Sequence, residues 1–199
     1  EKGWWGASYT DAYRTVEPRV LFEAGGNMLR RQRGGQKLLL EKLWPKLKMI
    51  VSVDFRINTT GMYSDYILPA AQHYEKVMMS LPSVHHLNWV LADRAVTPPG
   101  EALPEHDIGI MILEAIERRA AARGMTGFTD RKGTYRSLTG IVAKYTLNGE
   151  IRDAEQFYDE GVKDNAVYGI LPEGTSLATL REKGYVRWVG WGLAGHGEG

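Results

Sequence analysis

Two aspartates in the first half of the chain adjoin short apolar runs. The run Met49–Val53 ends directly before Asp54, and Asp65 precedes a second short run that ends at Pro69. Apolar runs of this length are typical of buried parallel strands, and ligands bind just beyond the carboxyl ends of such strands. We therefore expect Asp54 and Asp65 to lie near a bound ligand.

Asp54 has the more specific chemistry of the two. An acidic residue at the end of the second strand of a dinucleotide-binding fold accepts hydrogen bonds from a ribose or a guanine. The alternative is a structural role, as a helix cap or in a salt bridge with Arg56. For Asp65, a structural role that fixes the turn before Tyr66 is an equally good alternative.

Two further motifs could contact a phosphate or a base. Gly25-Gly26-Asn27 lies between a predicted strand and a predicted helix, where glycine lets the backbone approach a phosphate and Asn27 could bind a base or sugar edge. An ordinary turn would have the same residues. Lys76, within Glu75-Lys76, could reach a phosphate or a base carbonyl, or it could belong to a surface pair of little consequence.

The remaining chemistry-bearing residues form no recognised motif. His73, His85 and His86 lack metal-ligand spacing, and we interpret them as structural or surface residues. The tryptophans at Trp4-Trp5 and Trp188–Trp191 are typical of core or interface aromatics. The sequence has no H-E-x-x-H, G-x-S-x-G or Walker motif, and we assign it no catalytic and no metal-binding residue.

The elements that would position these residues follow the order of a βαβ unit. A strand is predicted over Arg19–Ala24, a helix over Gln36–Leu47 that Pro45 interrupts, and a strand over Met49–Val53. Further along, we predict a helical turn at Thr59–Ser64 and strands at Tyr66–Leu68 and Leu87–Ala92.

A long helix is predicted from Pro104 to Arg123. Proline suits its first turn, Glu105 and Asp107 complement the helix dipole there, and Gly124 ends it. Its predicted buried face consists of Ile108, Ile112, Ala115 and Ile116. Beyond it we predict helices at Arg131–Tyr145, Asp153–Val162 and Ser176–Lys183, and a strand at Tyr185–Val189, and we interpret this region as peripheral structure.

Composition narrows the classes of function. A net charge of +1 gives no reason to expect nucleic acid as a partner, and no apolar run is long enough to enter a membrane. The absence of cysteine excludes disulfides, thiolate metal sites and cysteine nucleophiles from these 199 residues. The chain has no initiator Met and ends in a glycine-rich run, so we interpret it as a piece of a longer polypeptide, with a processed mature protein as the alternative.

Together these residues resemble the molybdopterin oxidoreductases of the dimethyl sulfoxide reductase superfamily. That family reads as a strand, an Asp, a Thr-rich turn, S/A-D-I-x-L-P and then E-K. The chain has, in that order, Asp54, Thr59-Thr60, Ser64-Asp65, Leu68-Pro69 and Glu75-Lys76. It is most similar to the branch with the respiratory nitrate reductase catalytic subunit, the selenate, chlorate and perchlorate reductases, and the dimethyl sulfide and ethylbenzene dehydrogenases.

The resemblance implies a fold and a cofactor. The fold would be α/β, a three-layer Rossmann-like parallel sheet within a larger multi-domain molybdoenzyme. Residues 1–124 would belong to the domain that binds the guanosine end of a bis-molybdopterin guanine dinucleotide cofactor, which holds one molybdenum. Residues 125–199 would lead towards the next domain.

The resemblance also implies cofactor contacts by Asn27, Val53, Asp54, Lys76 and Glu105. Asn27 matches the family's Asn after the first strand, and Val53-Asp54 matches the strand-end pair at the nucleotide. Lys76 matches the Lys after the family's Glu, and Glu105 falls near a family Asp before the helix. A guanine nucleotide offers N–H donors for Asp54, carbonyls for Lys76 and hydroxyls for Glu105.

The parent enzyme would transfer two electrons at molybdenum, with oxygen-atom transfer, hydroxylation or dehydrogenation. It would exchange electrons through iron–sulfur clusters with an iron–sulfur partner subunit. The family's molybdenum ligand and iron–sulfur motif are not found in this segment, so the segment alone is not expected to be active.

The resemblance to the family favours an exported protein or a membrane-associated complex. The alternatives are a free-standing nucleotide-binding module without redox chemistry and a non-catalytic structural subunit of the same fold.

Overall fold

The computed structural model describes residues 18–32, 35–80, 87–130 and 133–189. The chain divides into two compact units, unit 1 (Glu1–Ala70) and unit 2 (Ala71–Gly199). The sequence motifs Trp4-Trp5 and His85-His86, and the end of the tryptophan motif at Trp191, lie outside the described residues.

Unit 1 contains a parallel sheet of three strands. They are β1 (Val20–Ala24), β2 (Met49–Asp54) and β3 (Tyr66–Pro69), and they lie in the order β1-β2-β3. The central strand β2 is buried along almost its whole length, which explains its unbroken apolar sequence. The prediction of an α/β fold with a Rossmann-like parallel sheet is confirmed.

Short helices connect β1 to β2. They are α1 (Met28–Arg31), which the sequence did not predict, and α2 (Gly35–Lys42), followed by a 3-10 turn at Trp44–Lys46. The predicted helix thus ends before Pro45, because proline has no N–H for the helical ladder and clashes with the preceding turn. A 3-10 turn at Gly61–Tyr63 leads to β3 and confirms the predicted helical turn.

The described strands of unit 2 are β4 (Met78–Ser80), β5 (Asn88–Ala92), β6 (Gly127–Thr129), β7 (Tyr135–Ser137) and β8 (Tyr185–Arg187). They form an antiparallel sheet in the order β4-β5-β8 and a separate hairpin of β6 and β7. Its helices are α3 (Glu105–Ala122), α4 (Ile141–Tyr145), α5 (Ala154–Val167) and α6 (Leu177–Lys183).

The hydrophobic core of unit 2 lies between its sheet and its last two helices. The buried residues of this core are Trp89, Val162, Leu171, Leu180 and Val186. Four of these five follow residue 124, so the region interpreted as peripheral supplies most of this core. The functional boundary near residue 124 stays a prediction.

Two predictions for unit 2 are wrong. In place of the predicted helix Arg131–Tyr145, the described residues from Gly133 to Tyr145 contain β7 and α4. Gly133 has φ 78°, a turn conformation that interrupts a helix. On α3, Ile108 is buried as predicted but Ile116 is exposed, whereas Ile110 is buried. Because α3 packs against both α4 and α5, its buried surface does not follow a single stripe.

Within the ranges that the structure describes, no helix is both long enough and apolar enough to cross a membrane.

Candidate functional site

The carboxyl ends of β1 and β2 meet at one edge of the unit 1 sheet. The backbone N–H of Gly25, just after β1, donates to the carbonyl of Val53 at 2.9 Å. The turn that carries Asn27 therefore lies beside Asp54, the last residue of β2. Three of the five residues predicted to bind a ligand share this edge.

Asn27 is held by a buried threonine from the connection after β2. Its Oδ1 accepts from the backbone N of Thr60 at 3.3 Å and from Thr60 Oγ1 at 3.2 Å. Thr60 Oγ1 in turn accepts from the Leu29 N–H at 3.1 Å. Within the described residues, Asn27 Nδ2 donates no hydrogen bond, so this amide group remains available to a ligand.

Asp54 is buried and tied to the same turn through Asn58. Asn58 Nδ2 lies 2.6 Å from Asp54 Oδ2 and 2.7 Å from the carbonyl oxygen of Gly26. The proposed alternative, a salt bridge with Arg56, is not what forms. Arg56 donates its backbone N–H to Asp54 Oδ1 at 3.3 Å, and its guanidinium lies over the Phe55 ring.

Three residues of this edge were missed by sequence reasoning: Glu23, Asn58 and Thr60. Asn58 directly precedes the Thr-rich turn after β2 and Thr60 is its second threonine, so their place in the sequence was a usable signal. Glu23 is an acidic residue inside an apolar run, and it is buried. Burial and the charge of Asp54 raise its pKa, while the N–H of Met28 opposes that shift.

The expectation that Asp65 lies near the ligand edge is wrong. Its Oδ2 accepts from the backbone N–H of Ile50 at 2.8 Å, near the start of β2. Asp65 precedes β3 rather than following it, so in a parallel sheet it lies at the amino end, opposite Asp54. Asp65 therefore has the structural role that was the alternative to ligand binding, because it fixes the turn before β3.

In unit 2, the buried side chain of Lys76 forms an ion pair with the partly exposed Glu105. Lys76 Nζ lies 2.6 Å from Oε1 and 2.5 Å from Oε2 of Glu105, the first residue of α3. The Lys76 side chain is 7% exposed and that of Glu105 is 45% exposed. The alternative of a surface pair Glu75-Lys76 is wrong, since Glu75 instead accepts from the N–H of Gln72.

Two cavities adjoin this ion pair. One has a volume of about 390 Å³ and the other of about 310 Å³, and Lys76 lines both. In the smaller one, the His106 ring stacks on Phe157 at 4.5 Å and on Tyr145 at 5.5 Å between centroids. His106 Nε2 is buried and has no hydrogen-bond partner in the described part of the chain. Burial lowers the pKa of this ring, which favours its neutral form.

Comparison with protein families decides what kind of protein carries these features. Residues 7–115 match the family model of the molybdopterin oxidoreductases. The chain belongs to this family. This confirms the resemblance to the family that the residues from Asp54 to Lys76 indicated.

Several alpha subunits of reductases and of a dehydrogenase are similar to this chain. Perchlorate reductase subunit alpha of Dechloromonas aromatica (strain RCB) is 31% identical over 84% of the chain. Respiratory nitrate reductase subunit alpha of Haloferax mediterranei is 33% identical over 74% of it. Dimethylsulfide dehydrogenase subunit alpha of Rhodovulum sulfidophilum is 31% identical over 66% of it.

The chain spans only a small part of these relatives. It covers 18% of the perchlorate reductase subunit, 13% of the nitrate reductase subunit and 14% of the dimethylsulfide dehydrogenase subunit. This agrees with the interpretation of the sequence as a piece of a longer polypeptide. Membership of the family supports a molybdenum–pterin cofactor for that polypeptide.

Proposed function

We propose that this chain is a segment of the catalytic subunit of a molybdenum oxidoreductase. In this proposal, the carboxyl edge of the unit 1 sheet binds the guanosine end of a bis-molybdopterin guanine dinucleotide cofactor. The observation that carries it is that the buried carboxylate of Asp54 ends β2 and that Asn27, with its amide donor, follows the end of the neighbouring parallel strand β1. That is the place where open α/β sheets bind nucleotides.

The chemistry of this edge fits a guanine nucleotide. Asp54 accepts one hydrogen bond on each oxygen from the protein, and each carboxylate oxygen has capacity for another from a guanine N–H. Asn27 Nδ2 can donate to a phosphate or a base acceptor. Gly25 has φ 67° and open space where a side chain would stand, so a ligand can approach the backbone there.

Val53 contributes to the edge through its main chain. Its side chain is buried in the sheet, and its carbonyl receives the Gly25 N–H. Its proposed role is therefore to set the position of the turn rather than to supply a polar group.

In unit 2, Lys76 and Glu105 are proposed to bind polar groups of the cofactor. An ammonium group has three N–H donors, and two of those of Lys76 point to Glu105. The third can donate to a carbonyl or phosphate oxygen, and the Glu105 carboxylate can accept from a hydroxyl. Glu105 also balances the charge of Lys76, which a buried ammonium requires.

The residues of this segment bind and orient, and none is proposed as catalytic. When bound, the cofactor supplies two-electron chemistry at molybdenum, with oxygen-atom transfer, hydroxylation or dehydrogenation. The rest of the catalytic subunit and an iron–sulfur electron-transfer subunit are the proposed partners.

The test is a chemical analysis of the purified catalytic subunit that contains this chain. We expect molybdenum and, after acid hydrolysis, guanine nucleotide in a ratio of about two nucleotides per metal, as the bis form of the cofactor requires. Guanine nucleotide without molybdenum would favour the free-standing nucleotide-binding module. Absence of both would favour a non-catalytic structural subunit and contradict the proposal.

A further inference from the structure

One face of the unit 1 sheet carries a buried row of polar side chains. Glu23 of β1 and Ser52 of β2 are register partners, and Asp54 follows two residues later on the same face. Their exposed fractions are 8%, 1% and 7%. Strands of parallel sheets are usually apolar on both faces, so this row calls for a specific role.

Among the residues that the structure describes, two atoms of this row have no hydrogen-bond partner. They are Glu23 Oε2 and Ser52 Oγ, both fully buried. Native proteins rarely leave such atoms unsatisfied. A hydrogen bond between these two atoms, directly or through one buried water, would satisfy both of them. A neutral Glu23 would donate its Oε2–H to Ser52 Oγ, whereas an ionised Glu23 would accept from the Ser52 hydroxyl.

The other oxygen of Glu23 supports the turn that carries Asn27. Glu23 Oε1 accepts from the N–H of Met28 at 3.3 Å. It also fills the space beside Gly26, where a Cβ would overlap it. The Glu23 carboxyl therefore packs against the turn on both sides of Asn27.

We propose that Glu23 is a positioning residue for the nucleotide site, and that in the loaded protein it holds the Gly26–Met28 turn as a neutral acid bonded to Ser52. This inference rests on the proposed function. Ionisation of Glu23 would place a second buried negative charge near Asp54.

The charges around Glu23 agree with a neutral form. β2 presents the Asp54 carboxylate and α1 presents the N–H of Met28; burial and then Asp54 raise the pKa of Glu23, and Met28 lowers it. An anionic nucleotide at this edge adds negative charge and favours the neutral acid further. A carboxyl whose pKa is raised stabilises the structure below its ordinary pKa, and that contribution is lost as the pH rises through the raised value.

The experiment follows cofactor retention in the purified catalytic subunit and its Glu23→Gln and Glu23→Ala variants. Each protein is dialysed at pH values from about 5 to about 9, and bound molybdenum and guanine nucleotide are then measured. For the wild type, we expect the retention constant to fall by up to about tenfold per pH unit above the pKa of Glu23. Glu23→Gln should retain the cofactor with little pH dependence, and Glu23→Ala should lose it at every pH.

Two outcomes would overturn the inference. One is an identical pH profile for wild type and Glu23→Gln. The other is a Glu23→Gln variant that folds, by circular dichroism, but loses cofactor as Glu23→Ala does, because that would mean the charged form is needed. A carboxylic acid C=O band in the infrared spectrum of the loaded wild type, missing in Glu23→Gln, supports it independently.

Asp54→Asn separates this inference from the proposed function. If Asp54→Asn loses the cofactor while both Glu23 variants behave as wild type, the nucleotide site stands and the role of Glu23 is refuted. If Asp54→Asn retains the cofactor fully, the proposed site itself is refuted, and the role of Glu23 with it.

Discussion

Asn27 Oδ1 accepts two hydrogen bonds from Thr60, one from its backbone N and one from its hydroxyl. Thr60 is fully buried, and its hydroxyl also accepts from the N–H of Leu29. One threonine thus joins the connection after β2 to the turn after β1, and it orients the amide proposed to bind a nucleotide.

Thr60→Val should destabilise unit 1 and lower cofactor occupancy. Valine keeps the shape of threonine but leaves Asn27 Oδ1 and the Leu29 N–H with fewer partners, at a cost of about 1–3 kcal/mol. Chemical denaturation and the molybdenum content of the catalytic subunit measure the two effects. Thr59→Val is the matched control and should change neither, and equal effects of the two variants would contradict the role of Thr60.

Asp54→Ala should lower cofactor occupancy in the parent enzyme. It removes an acceptor that faces ligand donors, and a charge-assisted hydrogen bond of this kind contributes roughly 1.5–3 kcal/mol. Molybdenum analysis of the purified protein measures the loss. Asp65→Ala removes a carboxylate from the opposite end of the same sheet and should lower stability without selective loss of metal, so unchanged molybdenum in Asp54→Ala would argue against the site.

The two halves of the Lys76–Glu105 pair should respond unequally to substitution. Glu105→Gln leaves a buried ammonium without its counter-charge, and we expect a loss of about 2–3 kcal/mol. Lys76→Met leaves a carboxylate that is 45% exposed and can be hydrated, so its cost should be smaller. Urea unfolding measures the free energy of unfolding of both variants, with Glu101→Gln at an exposed site as the control. A larger loss in Lys76→Met than in Glu105→Gln would contradict this prediction.

His106 should make stability depend on pH. Burial lowers its pKa in the folded state, so the unfolded chain binds the proton more readily. Stability should therefore fall as the pH decreases through the ordinary histidine pKa of about 6.5 towards the lowered value. Unfolding experiments at several pH values should show a shallower dependence in His106→Gln than in wild type. The control is His73→Gln, at an exposed histidine. If His73→Gln changes the pH dependence of stability and His106→Gln does not, His106 is not the source of that dependence.

Local sequence signals were sufficient to predict the parallel sheet of unit 1 and some of the residues at the carboxyl ends of its strands. The apolar run of β2, the glycine turn after β1 and Pro45 each act within a few residues, so their effect is visible without a fold. Asp54 could be placed because it follows a strand directly. Asp65 lies at the opposite end of the sheet because it precedes β3, and nearness to a strand in the sequence does not show which end of the sheet a residue occupies.

The contacts that complete the site depend on pairing across the fold. Glu23 faces Ser52 only because of the register between β1 and β2, and Lys76 meets Glu105 across 29 positions of sequence. The hairpin of β6 and β7 has the same origin, since pairing between strands outweighed the helical pattern that the segment shows alone. Residue types can suggest such partners, but only the packed structure selects them.

Asn58 makes this edge sensitive to a single chemical change. Its amide nitrogen is shared between Asp54 and the Gly26 carbonyl, and its oxygen accepts from the N–H of Gly61. Loss of ammonia by this side chain, as happens to asparagines in ageing proteins, would turn the donor into a second carboxylate facing Asp54. Repulsion would then replace attraction at the point where strand tip and turn are joined.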